Sequence, residues 1–149
     1  MLAIARGPFD VEVVSQVDAP NLLSVAQWVG RPIAAHASAA GKIVLSELEQ
    51  DDRARYVKAL TLPAFTAHTI TDQDRFLQEL EAVAQRGYAE TVDELEDGLS
   101  GIVAPVRGHG GMLVAIIGVY GPTARVCGPQ REQITAAVRS AASRLTEQP

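Results

Sequence analysis

The sequence contains one cysteine, Cys127, which cannot close a disulfide within the chain, so nothing in it points to an oxidising compartment. Aromatic residues make up only 5%, too few for a platform on which nucleobases stack. Positive charge is also scarce: 13 basic residues face 18 acidic ones, for a net charge of −5. A chain of that balance lacks the basic face that phosphate backbones require, so it does not grip nucleic acid by itself. Long apolar runs are missing. The strongest, Met112 to Tyr120, falls far short of the ~20 residues that cross a bilayer. The first residues, Met1 to Gly7, lack the charged region, apolar region and cleavage site of a secretory signal. A cytoplasmic protein with no membrane partner is the simplest expectation. There is no internal repeat of fixed period and no Pro- or Ser-rich linker.

What is present suits one globular domain: 149 residues, 47% hydrophobic and 21% charged. Residues 1–6 and 11–17 read as strands joined by a turn at Gly7-Pro8-Phe9-Asp10, with Val11, Val13 and Val17 on one face. Residues 22–28 fit either a strand or a helix. A helix is predicted from about His36 to Glu49, its first turn built almost wholly of small residues. A shorter helix follows Asp51-Asp52, which can cap it, and buries Tyr56, Val57 and Leu60. Thr71-Asp72-Gln73-Asp74 resembles a capping box, ahead of a stripe of Phe76, Leu77, Leu80, Val83 and Ala84 that stops at Gly87. Residues 101–107 and 112–120 form the best strand pair, around the turn Gly108-His109-Gly110-Gly111. The final helix starts near Pro129, with Ile134, Ala137, Val138, Ala141 and Leu145 as its buried stripe. Strands, helices, strands, helix in that order imply an α+β fold: an antiparallel-rich sheet covered by helices.

Chemistry-bearing motifs are sparse. His36, His68 and His109 are far apart, and none has a partner at metal-ligand spacing, so no metal is expected. Gly98-Leu99-Ser100-Gly101-Ile102 lacks the last glycine of a nucleophile elbow and its strand-then-helix context. An enzyme reading needs Ser100 or Cys127 beside His36 or His68; the sequence offers no convergent nucleophile, base and orienting group, and no catalytic residue is assigned. Gly41-Lys42 ends a segment like a phosphate loop, but His36 replaces its first glycine and Ile43 its magnesium-binding hydroxyl. What survives is a helix start, Ala37 to Ala40, bare enough for a ligand carboxylate to reach free backbone N–H groups. Close packing of an alanine-rich helix on the sheet is the alternative. The acids Glu90, Asp93, Glu94, Glu96 and Asp97 have no calcium-loop spacing and read as a solvated turn.

Six elements occur in one order over residues 1–146. They are Val29-Gly30-Arg31 with His36-Ala37-Ser38-Ala39-Ala40-Gly41-Lys42, Thr66-Ala67-His68-Thr69-Ile70, Arg86-Gly87-Tyr88-Ala89, Glu94 to Gly98, Ala104-Pro105-Val106, and Gly121-Pro122. Together they resemble the C-terminal effector-binding domain of IclR-type transcriptional regulators. The resemblance implies a GAF-like (profilin-like) fold: a curved antiparallel sheet flanked by helices, with a pocket on one face. It implies an effector-binding domain over 1–149 that senses a small molecule, often a carboxylic acid, and needs no cofactor. It also implies self-association as a homodimer or homotetramer. DNA would be reached only through an N-terminal winged helix-turn-helix domain and linker helix that this chain does not include. A freestanding sensor acting through a partner protein is the other reading.

The resemblance carries a pocket over by position. Its apolar wall would be Leu22, Val25, Ile33 and Leu99, and the helix start at Ala39 and Ala40 would supply N–H donors. The polar side departs from sensors of small acids. Thr91 stands for an aspartate, Gly101 for a cysteine, and Gly118 and Tyr120 for two serines; Ala34 replaces a proline and Phe65 an arginine. Each lost buried hydrogen bond to a charged ligand costs about 1.5–3 kcal/mol of affinity. Two expectations follow. Either the glycines enlarge the cavity for a ligand bigger and more apolar than glyoxylate or pyruvate, such as an aromatic or longer-chain acid, or Tyr120 fills the space and closes it.

Overall fold

The computed structural model describes residues 1–6, 10–20 and 27–146. Among the described residues there are five strands: β1 (Leu2–Ala5), β2 (Val11–Ser15), β3 (Ala89–Val92), β4 (Leu99–Arg107) and β5 (Leu113–Pro122). They form one antiparallel sheet in the order β2-β1-β5-β4-β3. Side chains on successive residues point to opposite faces, so Gly101 and Val103 of β4 share a face with Ile116, Gly118 and Tyr120 of β5. Ala104 and Val106 face the other way. β2 ends at Ser15, two residues before the reading from its valines, and Val17 is left 88% exposed. Asp10 closes the β1–β2 connection by accepting from the Arg6 backbone N–H at 2.8 Å. Gly7 to Phe9 of that turn lies outside the described residues, as does most of the ambiguous 22–28 segment.

Among the described residues there are five helices: α1 (Ala39–Ser46), α2 (Gln50–Ala59), α3 (Gln73–Arg86), α4 (Thr123–Val126) and α5 (Arg131–Thr146). α1 packs its small first turn directly on the sheet, in a core with Ala3, Val13, Val103 and Ile116. Behind it, Leu45 of α1, Val57 of α2, and Phe76 and Leu80 of α3 form a second core. α5 covers the opposite face through Val138 and Ala142 against Ala104 and Val106.

Several predicted boundaries move for identifiable reasons. α1 starts three residues later than the predicted helix because Ser38 is extended and caps it, its hydroxyl accepting from Gly41 N at 3.0 Å. Residues Ala35–Ala37 form a separate 3₁₀ turn instead. In α2, Asp51 and Asp52 sit inside the first turn and do not cap it; Glu49 takes the cap position without a side-chain bond. There the two acids face the positive end of the helix dipole. The α3 cap is Asp72, not Thr71, and accepts from Arg75 N at 2.8 Å. Gly87 stops the helix in the left-handed region, φ 75°, as its position after the apolar stripe predicts. In α5, Ala137 and Leu145 are exposed; Val138 and Ala142 are buried, with Ile134 and Ala141 half-buried beside them. α4 is a single turn, too short for a periodic signal.

Candidate effector site at the start of helix α1

The face of the sheet that carries α1 ends, at Tyr120, beneath the helix N-terminus. The first turn of α1 leaves backbone N–H groups without helical partners. Ser38 takes one. Another, Ala40 N–H, donates to the Tyr120 hydroxyl at 3.2 Å. Burial of that hydroxyl pushes the Tyr120 pKa up to about 12, against the opposing pull of the Ala40 and Ala39 N–H groups.

Gly101 explains how the ring fits. It lies opposite Tyr120 in the β4–β5 register, and a Cβ there would stand 2.3 Å from Tyr120 Cε1. The ring occupies the volume that a side chain at 101 would take. Gly118 works differently: a Cβ there would stand 2.3 Å from the Ile102 carbonyl oxygen, so this glycine permits close approach of β4. The two glycines therefore do not enlarge the cavity. What remains, bounded by Met1, Trp28, Ile33, Ser38, Leu95 and Tyr120, has a volume of about 10 Å³, room for roughly one water. On the outer side of Met1, Trp28 and Tyr120, an open groove of about 400 Å³ extends towards Pro122 and Arg125.

Of the residues carried over by position, Ile33, Ala39, Ala40, Thr91, Gly101, Gly118 and Tyr120 converge on this region. Ala39 and Ala40 are buried, Thr91 is buried opposite Gly101, and Ile33 lines the cavity. Leu99 shares their sheet face but stands opposite Pro122; Leu95 lines the cavity instead. Leu22 and Val25 lie outside the described residues.

Sequence reasoning missed a buried ion pair next to the site. Lys42 is 1% exposed, and its Nζ donates to Glu94 Oε1 at 2.7 Å and to the Glu90 carbonyl at 3.3 Å. Glu79 Oε1 stands 3.5 Å from the same nitrogen and 3.0 Å from Arg86. Glu94 is itself 8% exposed; burial raises its pKa despite the neighbouring lysine, and its Oε2 has no hydrogen-bond partner among the described residues. Its charge also bears on the Tyr120 hydroxyl. The Trp28 indole N–H, on the cavity wall, is a second buried polar group without a partner among the described residues. The acidic stretch is only in part a solvated turn: Glu96 and Asp97 are exposed, but Glu94 meets Lys42, and Glu90 holds Arg131 of α5 through both oxygens, at 2.6 and 2.9 Å.

Residues 4–147 match the family model described as Bacterial transcriptional regulator IclR C-terminal. The chain belongs to this family. It is 34% identical over 119 residues to the p-hydroxybenzoate hydroxylase transcriptional activator of Acinetobacter baylyi, covering 78% of this chain and 44% of that protein. It is 27% identical over 135 residues to the regulator KdgR of Dickeya chrysanthemi, covering 91% and 44%. The chain thus spans about half the length of such curated relatives, or less. Among solved structures, the inducer-binding domain of the Acinetobacter transcription factor PobR, a double mutant in complex with 3-hydroxybenzoic acid, superposes with a TM-score of 0.86 at 28% identity. It covers 98% of this chain and 86% of that one. A transcriptional regulator from Rhodococcus sp. RHA1 gives a TM-score of 0.89 at 26% identity, covering 98% and 58%. The α+β fold and the effector-binding character of this IclR domain follow from these matches.

Within the IclR domain, the Thr66–Ile70 element fastens the acidic loop. Thr69 Oγ1 accepts from the Phe65 and Thr66 N–H groups, both at 3.0 Å, and donates to the Glu94 carbonyl at 2.6 Å. Thr66 Oγ1 donates to the Asp93 carbonyl at 2.6 Å. Asp93 has φ 57°, a left-handed conformation that needs such support, and its carboxylate accepts from Gly98 N–H at 3.0 Å and from the Thr123 hydroxyl. Thr69→Val should therefore cost about 1–3 kcal/mol, because a nearly isosteric side chain strands buried partners. Urea denaturation checks it; a loss below about 0.5 kcal/mol would remove the fastening role.

Two residues of the enzyme reading, Ser100 and His36, are engaged elsewhere. Ser100 Oγ pairs with Thr123 Oγ1 at 2.8 Å, and His36 Nε2 bonds the Pro63 carbonyl at 2.9 Å while its ring meets Phe65 and Phe76. The family's curated relatives named above are transcriptional regulators. Among the described residues no helix is long and apolar enough to cross a membrane.

Proposed function

We propose that this domain senses a small carboxylic acid in the cytoplasm and controls DNA binding by a winged helix-turn-helix domain that precedes it in the full regulator. The observation that carries this reading is the start of α1, where the Ala40 N–H meets a polar oxygen beside a cavity in a domain of this family. A carboxylate presents the same acceptor with a full charge, and helix N-termini favour anions. The domain does no covalent chemistry. It works as a homodimer or homotetramer, and the effector acts by binding one arrangement of the assembly more tightly than another. Ala39 and Ala40 supply N–H donors; Ile33, Thr91, Leu95, Gly101, Gly118 and Tyr120 form the walls, and the resemblance adds Leu22 and Val25 to the apolar side.

An aromatic or longer-chain acid suits these walls better than a two- or three-carbon acid. The apolar surfaces of Trp28, Ile33, Leu95 and Tyr120 support it, as does the 3-hydroxybenzoic acid held by the PobR domain. Thermal-shift measurements with glyoxylate, pyruvate, octanoate, benzoate and 3-hydroxybenzoate test both points. A binder at about 100 times its Kd adds about 2.7 kcal/mol, or about 5–10 °C for a domain of this size. Stabilisation by glyoxylate or pyruvate alone would sink the preference for larger acids. Stabilisation by none of the five would sink the carboxylate-sensor reading.

A further inference from the structure

We propose that Tyr120 is a built-in occupant of the effector site, and that the site opens, by displacement of its ring, to a carboxylic acid that also carries a hydroxyl or amino donor. This rests on the sensor reading above. Three observations converge. The phenol ring lies in the notch that Gly101 leaves open, and only about 10 Å³ stays unfilled beside it. Its hydroxyl accepts from the Ala40 N–H, the group that a ligand carboxylate would take. Two buried polar atoms nearby lack partners among the described residues: Glu94 Oε2, which needs a donor, and Trp28 Nε1–H, which needs an acceptor.

Buried polar groups in folded proteins are nearly always paired, so an orphan on the wall of this small cavity, the Trp28 indole, and a second whose charge reaches the Tyr120 hydroxyl, Glu94, mark a place where another molecule's polar atoms belong. The pattern they set is specific. With the ring displaced, the α1 N-terminus and the indole N–H offer donors to carboxylate oxygens, while Glu94 offers an acceptor to a hydroxyl or amine. An acid without such a donor leaves the Glu94 oxygen unsatisfied, the situation in which recognition sites discriminate most strongly. The displaced ring has somewhere to go, since Tyr120 also lines the outer groove of about 400 Å³. The effector therefore competes with a side chain of the protein itself, and its apparent affinity is lowered by the fraction of molecules in which the ring is seated.

Titration calorimetry on the wild type, Tyr120→Phe and Gly101→Ala, with 3-hydroxybenzoate and benzoate as probes, tests the proposal. Tyr120→Phe removes the plug's hydrogen bond but keeps the ring. Gly101→Ala keeps the hydroxyl but drives the ring out, since the new Cβ would stand 2.3 Å from it. Both variants should bind 3-hydroxybenzoate at least tenfold tighter than the wild type, and benzoate should bind each protein at least tenfold more weakly than 3-hydroxybenzoate. Trp28, the only tryptophan, should shift its emission on binding. If the wild type binds 3-hydroxybenzoate and both variants bind it equally or more weakly, the plug is overturned and the sensor reading stands. Equal affinity for the two probes overturns the donor requirement. If no acid of the panel binds wild type or variants, the sensor reading falls with it. Should one variant fail to fold, the other carries the comparison.

Discussion

Replacing Lys42 by methionine should destabilise the domain by about 3–5 kcal/mol, the range found when one partner of a buried ion pair is removed. For a chain of this length that lowers the melting temperature by about 6–20 °C. The cause lies less in the lost attraction than in what stays behind: Glu94, 8% exposed, with one oxygen already unpartnered and the other stripped of its 2.7 Å contact. The pH dependence follows from the sign of the Glu94 shift. Burial raises the folded pKa of this carboxyl above its unfolded value, so the folded state holds its proton more tightly than the unfolded chain. Its contribution is greatest below the unfolded pKa and declines as the pH rises through the raised folded one. Removing Lys42 raises that folded pKa further, so the Lys42→Met deficit should shrink on going from pH 8 to pH 5. Adding Glu94→Gln to Lys42→Met should recover part of the loss at pH 8. Melting curves of the single and double variants at the two pH values check all of this. A Lys42→Met protein within 1 kcal/mol of the wild type would remove the buried pair from the description.

Gly41→Ala should cost about 3 kcal/mol or more, although alanine normally stabilises a helix interior over glycine by about 1 kcal/mol. The reversal has a local cause. A Cβ at 41 would stand 2.2 Å from the Ala35 carbonyl oxygen and 2.4 Å from its Cα. Those are main-chain atoms, which no rotamer change can move aside. Either α1 or the 3₁₀ turn before it must shift, and a shift of α1 moves the Ala40 N–H away from Tyr120. Urea denaturation and the Trp28 emission spectrum together report it. A variant as stable as the wild type, with unchanged emission, would show that the turn yields freely.

How much of this was legible in the sequence depends on the range of the interactions. α3 was read almost whole, because Phe76, Leu80 and Val83 recur at helical spacing and Gly87 ends the pattern beside its own helix. The β4–β5 pair is legible as two apolar runs around a glycine-rich turn. The small residues at Ala39 and Ala40 marked the start of α1 as a place of close approach, which is where Tyr120 meets it. The buried ion pair was not legible. Lys42 and Glu94 lie 52 residues apart, and acids in a row look solvated until the fold brings a buried cation over them. Nor could the sequence say that Tyr120 fills the Gly101 notch: that depends on which residues of β4 and β5 face one another. The α5 stripe shifted because Ala142 meets the sheet where spacing alone favoured Leu145, and small residues carry little pattern.

The stretch from Glu90 to Glu94 has a mechanical meaning. Glu90 grips Arg131 on the α5 side of the sheet, while Glu94, and the Glu90 carbonyl, grip Lys42 on the α1 side. Five consecutive residues at the sheet margin thus work like a rivet through both helical layers. One short segment at the sheet margin therefore joins the buried cation of α1 to the first turn of α5.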